Sequence, residues 1–259
     1  MPVTTVALSR RLLAEFLGTG LLVTVVVGSG IAAEQLSPNQ VGLQLLENST
    51  ATVFGLGVLI LLFGPVSGAH FNPVVSGADW LLGRHAGTGM PGRDVAAYTL
   101  AQVSGAVCGS VLANVMFDLA AFQTAHKDRL TSGHLVGEVV ATAGLVALIF
   151  ALARTGRGAL SAAAVAAYIG SAYWFTSSTS FANPAVTVGR IFSDTFAGIG
   201  PDSVPGFIAA QVIGAAVGGA VVLALHPDTP ETAGNAVVPT EGDIPTSDAQ
   251  KSATVRSTR

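Results

Sequence analysis

Two asparagine-proline pairs, Asn72-Pro73 and Asn183-Pro184, each precede a short apolar run, Val74 to Leu82 and Ala185 to Phe192. Asparagine is a favoured helix N-cap, and proline is favoured at the first helical position, where its missing N–H costs nothing. Each pair therefore reads as the start of a helix, and the runs that follow are too short to cross a membrane. Other polar groups stand inside apolar stretches: Glu15, Glu138, Gln102 and Gln211. An ionisable group in such a place is by default functional, for instance as a proton relay. His70 lies two residues before Asn72, with no partner at metal-ligand spacing, and His85, His126, His134 and His226 are scattered through loops and termini. No nucleophile, base and orienting group can be assembled and no phosphate-binding glycine loop occurs. The sequence therefore offers no catalytic residue and no metal site, and it implies no cofactor.

The elements that must position these residues are membrane helices. Of 259 residues, 50% are hydrophobic and 10% charged, against about 25% charged in soluble domains, and the mean hydropathy is +0.61. Six stretches are long enough to cross a hydrocarbon core: Leu12 to Ile31, Ser49 to Val66, Val95 to Phe117, Leu135 to Ala153, Gly158 to Thr176 and Val204 to Leu225. The 31 glycines suit helices that touch backbone to backbone. Gly105 and Gly109, like Gly214 and Gly218, form small-xxx-small pairs for close crossing. Cys108, the single cysteine, sits in an apolar run and reads as a packed thiol. A net charge of −3 gives no reason to expect nucleic acid as a partner.

The first span follows Arg10 and Arg11 but is longer than a signal-peptide core and contains Glu15, so it reads as a retained helix. Arg10, Arg11, Arg84, Arg93, Arg154, Arg157, Lys251, Arg256 and Arg259 fall on one side, and Lys127, Arg129 and Arg190 on the other. The positive-inside rule then places both termini in the cytoplasm. Residues 1–11 form a short N-terminus and residues 12–226 the membrane domain. The tail, 227–259, is rich in Pro, Thr, Asp and Ala without apolar period and is expected to be disordered.

The membrane domain divides into two copies, about 12–117 and 135–226. Ala14-Glu15 recurs as Gly137-Glu138, the stretch Ser67 to Val74 as Thr179 to Val186, and Ala101-Gln102 as Ala210-Gln211. Three spans per copy is an odd number, so the second copy enters from the opposite side and the repeat is inverted. The two Asn-Pro segments then approach each other from opposite faces as re-entrant half helices, tolerated at membrane depth because protein surrounds them. The repetition of Glu15 and Glu138 favours a structural role, accepting hydrogen bonds from the non-helical backbone before each half helix, over a relay. Gln102 and Gln211 read as amides bridging helix to loop. Asp79 and Arg190 hold equivalent positions but should lie at opposite faces. The expected fold is all-α: six transmembrane helices plus two half helices.

At these residues the chain resembles the major intrinsic protein family, the aquaporins and aquaglyceroporins, whose signature is a pair of Asn-Pro-Ala boxes on two half helices. The resemblance covers about residues 10 to 226, and the first box departs from it as Asn72-Pro73-Val74. It implies that Asn72 and Asn183 donate to passing solute at the pore centre. It also implies a multi-pass homotetramer in the cell membrane, with the lipid bilayer and small neutral solutes as partners. Half-helix N-termini, each near +0.5 of a charge, would repel cations there and pass neutral solutes.

A larger departure follows the second box, where most members carry Arg and this chain has Val186; the nearest arginine, Arg190, stands four residues on, about one turn, and either reaches toward the mouth or, as the preferred reading, anchors the end of the half helix at the interface. Family spacing puts the other filter positions at Thr52, Ser171 and Ser180, with Phe54 as the alternative to Thr52. The resulting constriction, wide and uncharged, resembles those that pass glycerol, urea and undissociated metalloid acids. The Ser-Gly-Ala-His-Phe-Asn-Pro context resembles a bacterial subgroup associated with arsenite permeation. An ion-coupled secondary transporter is the alternative, since inverted repeats and broken helices also serve alternating access.

Overall fold

The computed structural model describes residues 6–84 and 89–227. His85 and the expected tail from residue 228 onward lie outside the described residues. Among the latter there are eight α-helices and no strand. Six are long and apolar enough to cross a membrane: α1 (Leu8–Leu36), α2 (Val41–Ser67), α4 (Gly92–Met116), α5 (Ser132–Arg154), α6 (Ser161–Phe175) and α8 (Val204–Leu225). The other two, α3 (Pro73–Gly83) and α7 (Pro184–Gly189), are the half helices. At 1.5 Å per residue, the 11 residues of α3 reach about 16 Å, half of a hydrocarbon core of about 30 Å.

Most spans run beyond their apolar stretches, because the interface lets a helix continue through polar residues. The clearest case is α2, which begins at Val41 rather than near Ser49 and carries Gln44, Glu47 and Asn48 in its first turns. Asn48 Nδ2 donates to Val26 O at 2.8 Å and Gln44 Nε2 to Ser37 O at 2.9 Å, so this polar entry is tied to α1. The second half helix departs differently. Its α-helical part ends at Gly189, and Arg190–Phe192 form a tighter 3-10 turn.

The inverted repeat is visible atom by atom in the glycine crossings. A Cβ on Gly105 or Gly109 would collide with the carbonyl oxygens of Phe16 or Gly20 on α1, and one on Gly214 or Gly218 with those of Val139 or Ala143 on α5. The crossings α1/α4 and α5/α8 are thus one contact built twice, with only glycine admitting the opposing backbone. Anchored on the Asn-Pro pairs, the loop repeat starts one residue earlier in the second copy than expected, so that Ser67 pairs with Ser178. Large apolar side chains such as Leu61, Leu100 and Val136 face outward, as lipid requires. Cys108 is exposed on this outer face rather than packed, since it stands well to one side of the Gly105 and Gly109 face that meets α1.

Gly109→Leu and Gly218→Leu should each lower the yield of folded protein and its thermal stability in detergent by similar amounts, at least roughly 1–3 kcal/mol for overpacking. Gly42→Leu, at a site with nothing within 4 Å, should leave both unchanged. Unequal damage at the two crossings would show that they do not carry equivalent loads.

Candidate functional site

The site begins where the chain abandons helical geometry. Gly68, Ala69 and Phe71 in the first loop, and Thr179, Ser180 and Ala182 in the second, all have left-handed backbone angles between φ 49° and 85°. For residues other than glycine this costs on the order of 1–2 kcal/mol each, so something must hold these loops. Ser67 Oγ accepts from Ala69 N at 3.1 Å, and Ser178 Oγ from Ser180 N at 3.2 Å. The main restraint comes from the two glutamates. Glu15 accepts from Ser67 Oγ (2.6 Å), His70 N (3.0 Å), Phe71 N (2.7 Å) and Gln102 Nε2 (2.7 Å). Glu138 accepts from Phe181 N (2.8 Å), Ala182 N (2.8 Å) and Gln211 Nε2 (2.7 Å). Gln102 and Gln211 carry the restraint on into the half helices by donating to Ser76 Oγ and Thr187 Oγ1. All four side chains are fully buried.

Asn72 and Asn183 meet where the loops meet. Each caps its own helix through its oxygen: Asn72 Oδ1 accepts from Val74 N at 3.1 Å, and Asn183 Oδ1 from Ala185 N at 3.0 Å and Val186 N at 3.2 Å. Each also reaches across the junction, Asn72 Nδ2 to Ala182 O at 2.7 Å and Asn183 Nδ2 to Phe71 O at 2.8 Å. An NH2 group has two protons, so one of each clamps the opposite loop and the other is left for whatever passes.

Both asparagines line one cavity, whose flanks are apolar residues such as Leu22 and Val26 of α1, Ile60 of α2, Ile149 of α5 and Ile169 of α6. His70 also lines it, with Nδ1 3.0 Å from Ser76 Oγ. Thr52, Ser180 and Val186 lie on its wall. Phe54, the alternative to Thr52, is 71% exposed on the outer face. Ser171 does not join the wall either: it is exposed and bonds to Tyr168 O. Tyr173 lines the cavity instead and shares a hydrogen bond with Thr52 at 3.1 Å. Counting back from the second box assumed a loop of standard length. The stripe Val165, Ile169, Tyr173, spaced i, i+4, i+8 on α6, carried the correct face, and Ser171 is two residues, some 200°, away from it.

The end of the cavity beyond the second half helix is cationic. Arg190 is 3% exposed and lines the cavity. Its guanidinium lies 3.5 Å from the centre of the Phe181 ring, and its Nε donates to Ala197 O. Arg129, from the loop between α4 and α5, sits 5.1 Å from the same ring and donates to Gly198 O and Phe196 O. Three successive carbonyls of the outer loop are thus gripped by two arginines. Farther out, partial burial and then repulsion from Arg129 and Arg190 bring the Lys127 ammonium down to about 8; it is charged below that pH and neutral above it. Asp79, the counterpart of Arg190 in the first copy, accepts from Met90 N instead.

Glu138→Gln should retain more folded protein and flux than loss of the polar group, because its amide oxygen still accepts from one of the two loop N–H groups, and Gln211, whose Oε1 is buried without a partner, can turn to accept the new NH2. Glu138→Leu leaves two backbone donors unpaired, at roughly 1–3 kcal/mol each, and should lose far more. A glutamine variant as stable as the parent yet without flux would restore the proton-relay reading. Asn183→Asp should weaken cation exclusion and stability together, since a carboxylate would face Phe71 O in place of a donor; vesicle leak and thermal melting read the two effects.

The family model described as major intrinsic protein matches residues 2–181. The chain is 50% identical over 208 residues to aquaglyceroporin AqpS of Rhizobium meliloti, covering 80% of this chain and 86% of that protein. It is 32% identical to the glycerol uptake facilitator protein of Pseudomonas aeruginosa, over 86% of this chain and 91% of the other. The fold matches the X-ray structure of the aquaglyceroporin from Plasmodium falciparum with a TM-score of 0.54 at 21% identity, over 85% of this chain and 95% of that one. With half of its residues shared along most of one relative, and the inverted repeat and paired half helices in place, the chain belongs to the major intrinsic protein family and is a membrane channel rather than an enzyme.

Proposed function

We propose that this channel passes water, glycerol-sized neutral solutes and undissociated metalloid acids such as arsenous acid, passively and down their gradients. The observation that carries the reading is Val186 on the cavity wall directly after the second box, where the family pattern has an arginine. Valine occupies less of the lumen and contributes apolar surface. Thr52, Tyr173 and Ser180 supply hydroxyls on the same wall, enough to exchange hydrogen bonds with a polyol or a trihydroxy acid without holding it. The names of several relatives support polyol-sized solutes, since they include an aquaglyceroporin, a glycerol uptake facilitator and a propanediol uptake facilitator, alongside others named aquaporins.

An ion-coupled transporter would require a carboxylate free to bind the coupling ion. Glu15 and Glu138 are fully buried and committed to loop donors, which argues for passive flow. We place the channel in the cell membrane as a homotetramer with both termini cytoplasmic. The charge count supports that orientation: Arg10, Arg11, Arg84, Arg93, Arg154 and Arg157 stand on the side of the N-terminus, against Lys127, Arg129 and Arg190 on the other.

Val186→Arg should reduce arsenite uptake into vesicles at least about tenfold while lowering water flux only severalfold, because a guanidinium across the mouth excludes by size. Stopped-flow water permeability and arsenite uptake, with protein amounts matched, read the two together. An equal fall in both, or a parent that never passes arsenite, would remove Val186 as the size-setting residue.

A further inference from the structure

We propose that Arg190 is a second specificity-determining residue of this channel, supplying from one helical turn away the positive charge that Val186 lacks, so that width and charge are set by different side chains. The proposal rests on the channel reading above and assigns the charge selectivity of the same outer mouth.

Residues four apart share a helix face. The backbone N–H of Arg190 donates to Val186 O, so the two are one turn apart on the wall of a single cavity. Long side chains on a helix lean back toward its N-terminus, which brings the Arg190 guanidinium toward the level of the preceding turn, where Val186 sits. It does not cross the lumen from there. Its plane is held against Phe181 at 3.5 Å and its Nε is spent on Ala197 O. Phe181 is itself fixed, edge-on to Phe207 at 5.2 Å between centroids. Among the described residues, neither terminal nitrogen of Arg190 has a protein acceptor. The cation therefore lies along the wall, leaving the opening to valine and projecting its field into the path.

Its surroundings do not cancel that field. Arg129 and Lys127, across the ring and at the rim, are cationic, and the carboxylate that attracts Arg190 is Glu138. Glu138 is turned to the loop N–H groups of Phe181 and Ala182. Arg129 makes the same kind of contacts to the outer loop as Arg190 without lining the cavity, so it separates loop anchoring from lumen charge.

The experiment compares Arg190→Gln, Arg190→Lys and Arg129→Gln with the parent in reconstituted vesicles, measuring potassium leak and the glycerol-to-water permeability ratio. Arg190→Gln keeps length and a donor for Ala197 O but loses the charge. It should raise potassium leak on the order of 30-fold, as expected for one unit charge roughly 8 Å from the permeating ion in a medium of effective dielectric about 20, while changing the permeability ratio less than about twofold. Arg190→Lys and Arg129→Gln should stay near the parent in leak. Should Arg190→Gln fail to reach the membrane, Arg190→His replaces it: potassium leak should be low at pH 5.5 and high at pH 8, since imidazole is charged only at the lower value. Parent-like leak in the Gln variant, equal leak in the Gln and Lys variants, or a His variant insensitive to pH would overturn the proposal. A parent that conducts no neutral solute would instead overturn the channel reading.

Discussion

A chain that stops halfway across a bilayer exposes backbone N–H and C=O groups where no water can reach them, and every other feature of this molecule follows from how those groups are satisfied. The answer here is a buried carboxylate in each half. Glu15 and Glu138 take the N–H groups of residues one and two before each asparagine, and this offsets the left-handed angles that turn each loop into its half helix. A carboxylate suits the task because it accepts several hydrogen bonds and donates none. The asparagines complete the arrangement by exchanging bonds between loops, so neither half helix is positioned without the other. The junction of the two half helices is in this sense a property of the pair.

The rest of the scaffold brings those two carboxylates into place. Glu15 on α1 must meet Gln102 on α4, and Glu138 on α5 must meet Gln211 on α8. The glycine crossings make this possible by letting the helix backbones touch. The same spacing recurs in both copies, which is why one set of distances describes both loops to within a few tenths of an ångström. Where the copies differ, the two ends of the cavity become chemically unlike. His70 in the first loop stands where the second has Phe181, and Asp79 stands where the second has Arg190. The first loop thus presents a polar ring bonded to Ser76, and the second an aromatic face bearing two guanidinium groups.

Several features were written plainly in the residues. Span number, the inverted repeat and the positions of Asn72, Asn183, Glu15, Glu138, Gln102 and Gln211 follow from apolar length, from the helix-starting chemistry of Asn-Pro and from recurrence in the same order. These are local or periodic properties, and a linear chain displays them directly. Filter geometry was less legible. Ser171 was reached by counting across a loop whose length was assumed, and a two-residue difference there turns a side chain to the opposite face of α6. Tyr173 occupies that wall in its place.

What the amino-acid sequence determined by itself is therefore the architecture: six spans, two half helices, their inversion, and the polar groups needed to hold them, because each depends on composition or on short-range spacing. What only the tertiary structure decided is which side chains share the outer mouth. Thr52 and Tyr173 lie 121 residues apart in the chain and touch through their hydroxyls. Arg190 meets Phe181 and a carbonyl of the following loop, rather than merely closing the end of its helix. Such neighbours are set by helix rotation and loop length summed over distant segments, and an error of one or two residues in either sends a side chain to lipid instead of to the pore.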